Sequence, residues 1–142
     1  MSITGDILLG SAMLAVCALL YVAILAFAVG ALQRLGDRMA GRGAGLRSLA
    51  TLGLGFAAVV LAHTLQVWLW AFAVQATGTL AAFEDAFYFS LVTSTTVGYG
   101  DLTLGEGWRI FGAFAGVTGL LTFGLSTAVL VIIFERVLRA GE

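Results

Sequence analysis

The chain has 142 residues, of which 61% are hydrophobic and 11% charged, against roughly 45–50% apolar and about 25% charged in an ordinary soluble domain. Seven basic and eight acidic side chains cannot furnish a water-facing surface, and high hydrophobicity with a net charge of -1 reverses the composition of a disordered chain; the solvent this composition fits is lipid. The same balance leaves no basic footprint for nucleic acid, and one Cys (Cys17) with one His (His63) supplies neither an intrachain disulfide nor a zinc-ligand set.

The charges divide the chain into apolar lengths. Three uncharged runs, from Asp6 to Arg34, Arg47 to Glu84 and Arg109 to Glu135, exceed the roughly 20 helical residues needed to cross a hydrocarbon core about 30 Å thick. The first predicts a transmembrane helix over residues 1–35. Met1 to Asp6 carry no positive charge, so a cleaved signal peptide is not expected and the helix is read as retained. Residues 36–48, with Gly36, Gly41, Gly43 and Gly45 among arginines, read as a flexible linker. A second spanning helix is expected over 49–77.

Between Asp85 and Asp101 only fifteen uncharged residues remain, a length that suits a re-entrant segment. A short helix over 83–94 is predicted there, with Glu84 and Asp85 complementing the positive end of its dipole, followed by a loop over 95–101. The third spanning helix is placed over 108–136 and a short tail over 139–142. All seven basic residues are arginines. Arg34, Arg38, Arg42, Arg47, Arg136 and Arg139 fall on one side and Arg109 on the other, which puts the linker and the C-terminus in the cytoplasm and the N-terminus outside. The location expected is the plasma (inner) membrane, in multi-pass topology.

The chemistry is concentrated in Ser94-Thr95-Thr96-Val97-Gly98-Tyr99-Gly100-Asp101. Irregular backbone at membrane depth survives only where it is buried in protein or lines a water or ion pathway. Glycines alternating with Val97 and Tyr99 permit backbone angles closed to other residues, so that consecutive carbonyls turn to one side. Such a row replaces the hydration shell of a cation when several copies surround one axis, and closed rotational symmetry is the usual means of bringing copies together.

This segment resembles the selectivity filter of the potassium channel family, in which four Thr-Val-Gly-Tyr-Gly loops line a pore. The similarity runs from about Phe83 to Phe134 and is that of small bacterial two-helix channels; the second spanning helix fits the family's outer helix. Residues 49–138 would form the pore domain, and the first helix lies outside the two-helix pattern. The resemblance implies an all-α integral membrane protein with three transmembrane helices per subunit, a re-entrant pore helix and filter loop between helices two and three, and a fourfold-symmetric tetramer made with three further copies of the chain. It implies K+ as the transported ion, held by the carbonyls of Thr96, Val97, Gly98 and Tyr99 and the Thr96 hydroxyl, with no organic cofactor and no catalytic residue. Val97 and Tyr99 would point their side chains into a supporting wall, Asp101 would stand at the outer mouth, and Thr95, Gly100, Asp101 and Tyr88 would support the filter. Val92 stands where some bacterial members carry a Glu, so a carboxylate pair with Asp101 is not expected. Tyr88 and Phe89 replace frequent tryptophans, which alters the hydrogen bonding of the aromatic cuff.

In the third spanning helix, Gly112 and Gly116 have the spacing that lets helices approach closely in lipid. Gly119 has two readings, a gating hinge by resemblance or close packing behind the filter. Leu120, Phe123 and Thr127 share one face, which by resemblance lines the cavity. His63, near the middle of helix two, is either a pH-sensitive group or a neutral imidazole bonded to a neighbouring helix through Tyr21. The linker arginines are first a topology signal, with anionic membrane lipid as a second role. No span carries interior arginines that would sense voltage, and no stretch of the sequence reads as a ligand-binding domain. The first helix could therefore pack on its own pore module, wrap the tetramer, or recruit an unidentified regulatory subunit. The rival to a potassium-selective channel is a poorly selective or non-conducting membrane subunit of the same kind; an enzyme is not expected, since no nucleotide-loop spacing is present.

Overall fold

A computed structural model of the chain describes residues 2–39 and 41–139 and is all-helical. Helix α1 spans Ile3–Arg38, α2 Ala44–Ala76, α3 Phe83–Ser94 and α4 Arg109–Arg139, with a 3-10 turn at Glu106–Trp108 leading into α4. Three helices, α1, α2 and the unit from the 3-10 turn through α4, are long and apolar enough to cross a membrane. At 1.5 Å per residue the 36-residue α1 is about 54 Å long, well over the roughly 30 Å of a hydrocarbon core.

The linker is shorter than the expected 36–48. α1 continues through Gly36 to Arg38 and α2 begins at Ala44, ahead of Gly45. Glycine in a helix costs about 1 kcal/mol relative to alanine, but continuing the helix keeps its N–H and C=O groups paired, and no neighbour lies close enough to either glycine to force a break. Met39 closes α1 by donating its N–H to the carbonyls of Leu35 and Gly36, at 3.0 and 3.2 Å. α4 likewise runs to Arg139, and the rest of the expected tail, residues 140–142, lies outside the described residues.

The first helix packs on its own chain. Its buried positions are Asp6, Gly10, Cys17, Tyr21 and Ala28, alternating steps of four and seven that keep one seam facing a partner. That seam lies against α2, α4 and the 3-10 turn, while α3 packs against α2 and α4. Where the bundle closes, Cys17, Trp70, Val74, Ala86, Phe89, Leu104, Phe111 and Ala115 form one buried cluster. The ring centroid of Trp70 lies 5.3 Å from that of Phe111, and Phe111 meets Trp108 edge-on at 5.6 Å. Trp108 thus packs against the core as well as standing at a helix start. Outward-facing Leu8, Leu19, Phe27, Leu49 and Leu138 remain exposed, the apolar surface that lipid solvates.

Gly10 sets the distance between α1 and α4, because a Cβ there would be driven into the Phe114 ring. Gly10→Leu should therefore destabilise the bundle by about 1–3 kcal/mol through overpacking, whereas Gly30→Ala, at a site with nothing within 4 Å, should be neutral or stabilising. Denaturation in mixed detergent micelles checks both; equal effects would contradict this packing.

Candidate ion-conduction site

The 12-residue α3 is about 18 Å long, too short to cross and long enough to reach mid-membrane. Glu84 and Asp85 occupy its first turn, where negative charge complements the helix dipole. An aromatic cluster fastens this end to α2: the Trp68 ring lies 5.8 Å from Phe83 and 5.1 Å from Phe87, and Phe72 lies 5.2 Å from Phe83. The opposite end is seated on α4. Added Cβ atoms at Gly112, Gly116 and Gly119 would meet, in turn, Leu104 and Phe89, the Thr93 carbonyl, and the Ser94 carbonyl. Gly116 and Gly119 thus receive the last turn of α3, and Gly112 receives the Phe89 ring and Leu104. At Gly119 the obstructing atoms are backbone, so no side-chain rotation relieves the overlap. Gly119 thus packs closely on the Ser94 backbone, and α4 continues as helix through this position.

Beyond Ser94 the chain changes conformation residue by residue. Thr95 closes α3, its hydroxyl donating to the Leu91 carbonyl at 2.8 Å, and the Thr96 N–H donates to Thr93 at 3.0 Å. Thr96, Gly98 and Gly100 then take positive φ of 61°, 51° and 80°, while Val97 and Tyr99 between them do not. Left-handed φ at every second residue is the alternation that turns successive peptide units so that their dipoles point the same way. Thr96 is the one non-glycine residue with positive φ among the described residues, a conformation that carries strain for a β-branched side chain. Gly98 returns its N–H to the Val92 carbonyl at 3.0 Å, which pins the middle of the loop to α3. Sequence reasoning did not single out this contact, in which Val92 acts through its backbone while its side chain is buried.

The Tyr88 hydroxyl donates to Asp101 Oδ2 at 2.8 Å, joining α3 to the far end of the loop. That bond, together with the Asp101 charge, holds the phenol above its ordinary range, because the neutral form is the donor. The side chains of Val97 and Tyr99 are 51% and 73% exposed; the supporting wall expected for them is not supplied by this chain. Leu120, Phe123 and Thr127 are all exposed on one face of α4, but Phe123 is also engaged from behind. Its ring stacks on His63, with centroids 4.3 Å apart and an interplanar angle of 23°.

His63 belongs to a three-helix polar contact. Its Nε2 lies 2.8 Å from Ser126 Oγ and 3.4 Å from the Tyr21 hydroxyl, and Tyr21 also bonds Ser126. Ser126, which in turn donates to the Thr122 carbonyl at 2.7 Å, was missed from sequence. The available signal was a hydroxyl within an apolar span, three residues from Phe123. Also unflagged was Asp6, 3% exposed, with one carboxylate oxygen lacking a partner.

A spanning bundle that carries a half-length helix and an alternating-φ loop has the layout of a channel pore. The family model described as "Ion channel" matches residues 57–136, more than half of the chain, and the chain belongs to that family. Among its relatives are potassium channels: the chain is 40% identical over 52 residues to "Potassium voltage-gated channel subfamily A member 5" of Oryctolagus cuniculus, and 44% identical over 48 residues to "Potassium voltage-gated channel subfamily A member 6" of Homo sapiens. These alignments cover 36% and 33% of the chain, and 9% of each relative's length. No solved structure gives a significant match.

Two outcomes follow from this geometry. Gly119→Ala should cost about 1–3 kcal/mol or prevent assembly, while Gly124→Ala, with nothing within 4 Å, should be tolerated; detergent stability of the two variants separates a packing site from a free hinge. Asp101→Asn should bring the Tyr88 phenol back towards its ordinary value. In an alkaline titration of 13C-tyrosine-labelled protein, Tyr88 should then ionise at lower pH in the variant than in the parent, and an unchanged midpoint would contradict the bond.

Proposed function

We propose that the chain is one subunit of a homotetrameric, potassium-selective channel that conducts K+ passively down its electrochemical gradient, with Thr96 to Tyr99 as the ion-coordinating segment. The observation that carries this reading is the alternation of positive φ at Thr96, Gly98 and Gly100 directly after the C-terminus of a half-length helix. Four such strands around one axis would offer layers of main-chain oxygens from Thr96, Val97, Gly98 and Tyr99, with the Thr96 hydroxyl below them. A K+ ion entering that file exchanges its water shell for carbonyl oxygen, and ions in adjacent sites expel one another, so that binding does not halt flow. The negative end of α3 points towards the inner entrance of the file, and four such ends favour a cation there. Thr95, Gly100, Tyr88 and Asp101 hold the segment in shape, Leu120, Phe123 and Thr127 line the cavity below, and Gly119 seats the pore helix.

The fourfold assembly is supported by what one chain leaves uncovered. Val97 and Tyr99 are exposed, and an apolar groove of about 630 Å³ between α2, α3 and α4 is lined by Phe56, Val60, Phe87 and Leu91 among others. A neighbouring copy would cover both. The arginine distribution supports a cytoplasmic linker and C-terminus in an inner or plasma membrane. The rival, a poorly selective or non-conducting subunit, is set against this reading by a flux experiment.

Purified protein in K+-loaded liposomes should carry a dye-reported, K+-selective flux. Gly98→Ala or Tyr99→Ala should abolish the preference for K+ over Na+ while the assembly keeps its size. Equal passage of both ions by the parent, or an unaltered preference in either variant, would overturn the assignment.

A further inference from the structure

The channel reading uses the loop and the glycines of α4 but leaves unexplained a cleft at the arginine-rich end of the bundle, where α1, α2 and α4 meet. It has two parts. The deeper is a cavity of about 260 Å³ with apolar walls from all three helices, among them Leu25, Val29 and Leu32 of α1, Ala58 of α2, and Val129 and Ile132 of α4. The outer part, of about 450 Å³, is lined by Asp37, Arg47, Ser48, Thr51 and Arg136. Thr51 and Arg136 line both, so a largely apolar slot adjoins a polar mouth.

We propose that this cleft binds one anionic phospholipid, with its phosphate on Arg47 and Arg136 and an acyl chain in the slot between the three helices. Charge selects the headgroup. Two guanidinium groups face one carboxylate, that of Asp37, across the mouth. Among the described residues the one ion pair within 4 Å is Arg139–Glu135 at 3.9 Å, so neither arginine of the mouth forms an ion pair within them. The planar guanidinium fork matches phosphate oxygens in pairs, and the partly buried Ser48 adds a hydroxyl. The Thr51 hydroxyl already donates to the Arg47 carbonyl at 2.8 Å, which fixes that side of the mouth and leaves Thr51 only as an acceptor.

The slot selects lipid over free phosphate. A soluble phosphate gains nothing from the apolar walls, whereas an acyl chain buried there leaves water for contact with Leu25, Val29, Ala58 and Ile132. The position agrees with the chemistry, since basic mouths between transmembrane helices on the positive side of a membrane protein meet the leaflet that carries anionic lipid. One wall of the slot is α1, the helix outside the two-helix pore pattern, so the bound lipid would bridge it to the two helices of the pore. The proposal rests on the bundle lying in a membrane and is independent of which ion is conducted.

The test is native mass spectrometry of the full chain released from neutral detergent, titrated with dioleoyl phosphatidylglycerol, dioleoyl phosphatidylcholine and glycerol 3-phosphate. Phosphatidylglycerol should bind to one site per chain, about thirtyfold more tightly than phosphatidylcholine if each arginine contributes as basic residues at a membrane surface do, and glycerol 3-phosphate should not compete. The pair Arg47→Gln and Arg136→Gln should reduce phosphatidylglycerol binding to the phosphatidylcholine level, and Val29→Trp, which fills the slot, should weaken both lipids. The pair Arg34→Gln and Arg42→Gln, outside the cleft, should change nothing. Equal binding of the two lipids by the parent, retention by the Arg47/Arg136 variant, or equal loss in the linker variant would overturn the proposal, the last by showing diffuse attraction. Competition by glycerol 3-phosphate would overturn the acyl-chain half of it. Should the glutamine pair fail to assemble, Arg47→Lys with Arg136→Lys decides, since retained charge must retain phosphatidylglycerol preference.

Discussion

In hydrocarbon a main-chain N–H or C=O without a partner costs several kcal/mol, and in the proposed pore the loop after α3 is where this chain would meet that constraint. A helix that stops after 12 residues leaves its last carbonyls and the following strand to be satisfied by other means. Each local feature answers part of that demand. Thr95 caps Leu91, Thr96 donates to Thr93, and Gly98 reaches back to Val92. The carbonyls of the alternating stretch itself are left for something outside the chain, and in the proposed tetramer that something is a dehydrated cation.

Seating such a loop requires that α3 be held rigidly at both ends. At its start the holding is aromatic, through Trp68, Phe72, Phe83 and Phe87. At its end the absence of side chains does the work, since α4 presents Gly116 and Gly119 to the backbone of Thr93 and Ser94, and Gly112 to the side chains of Phe89 and Leu104. Lipid provides no hydrophobic force to press helices together, so the approach relies on close contact, and glycine is the residue that permits backbone to meet backbone. The Tyr88–Asp101 bond then ties the loop's far end to the same helix, so that both ends of residues 95–101 are referred to one rigid element.

The coarse architecture was legible because it follows from charge spacing. Three uncharged runs longer than a membrane is thick correspond to three long helices, and the short run with Glu84 and Asp85 at its head corresponds to the short one. The Gly-rich linker was overestimated because glycine lowers helix stability without forbidding it, and Gly36 and Gly45 lie where no neighbour opposes continuation. The contact at Gly119 could not be read from its own helix, since the Ser94 carbonyl that faces it belongs to another. Ser126 was hidden for the same reason: a lone hydroxyl in an apolar span gains its role only when Tyr21 and His63 arrive from two other helices. Val97 and Tyr99 show the limit from the other side, because the wall expected for them is not contained in a single chain.

The account depends on four copies of residues 96–99 surrounding an ion, and an electron-density map of the purified assembly with thallium in place of potassium tests that most directly. It predicts four chains about one axis, with anomalous scattering peaks between the four strands at the level of Thr96 to Tyr99. An assembly of another number of chains, or a fourfold one with no scattering on the axis, would contradict it.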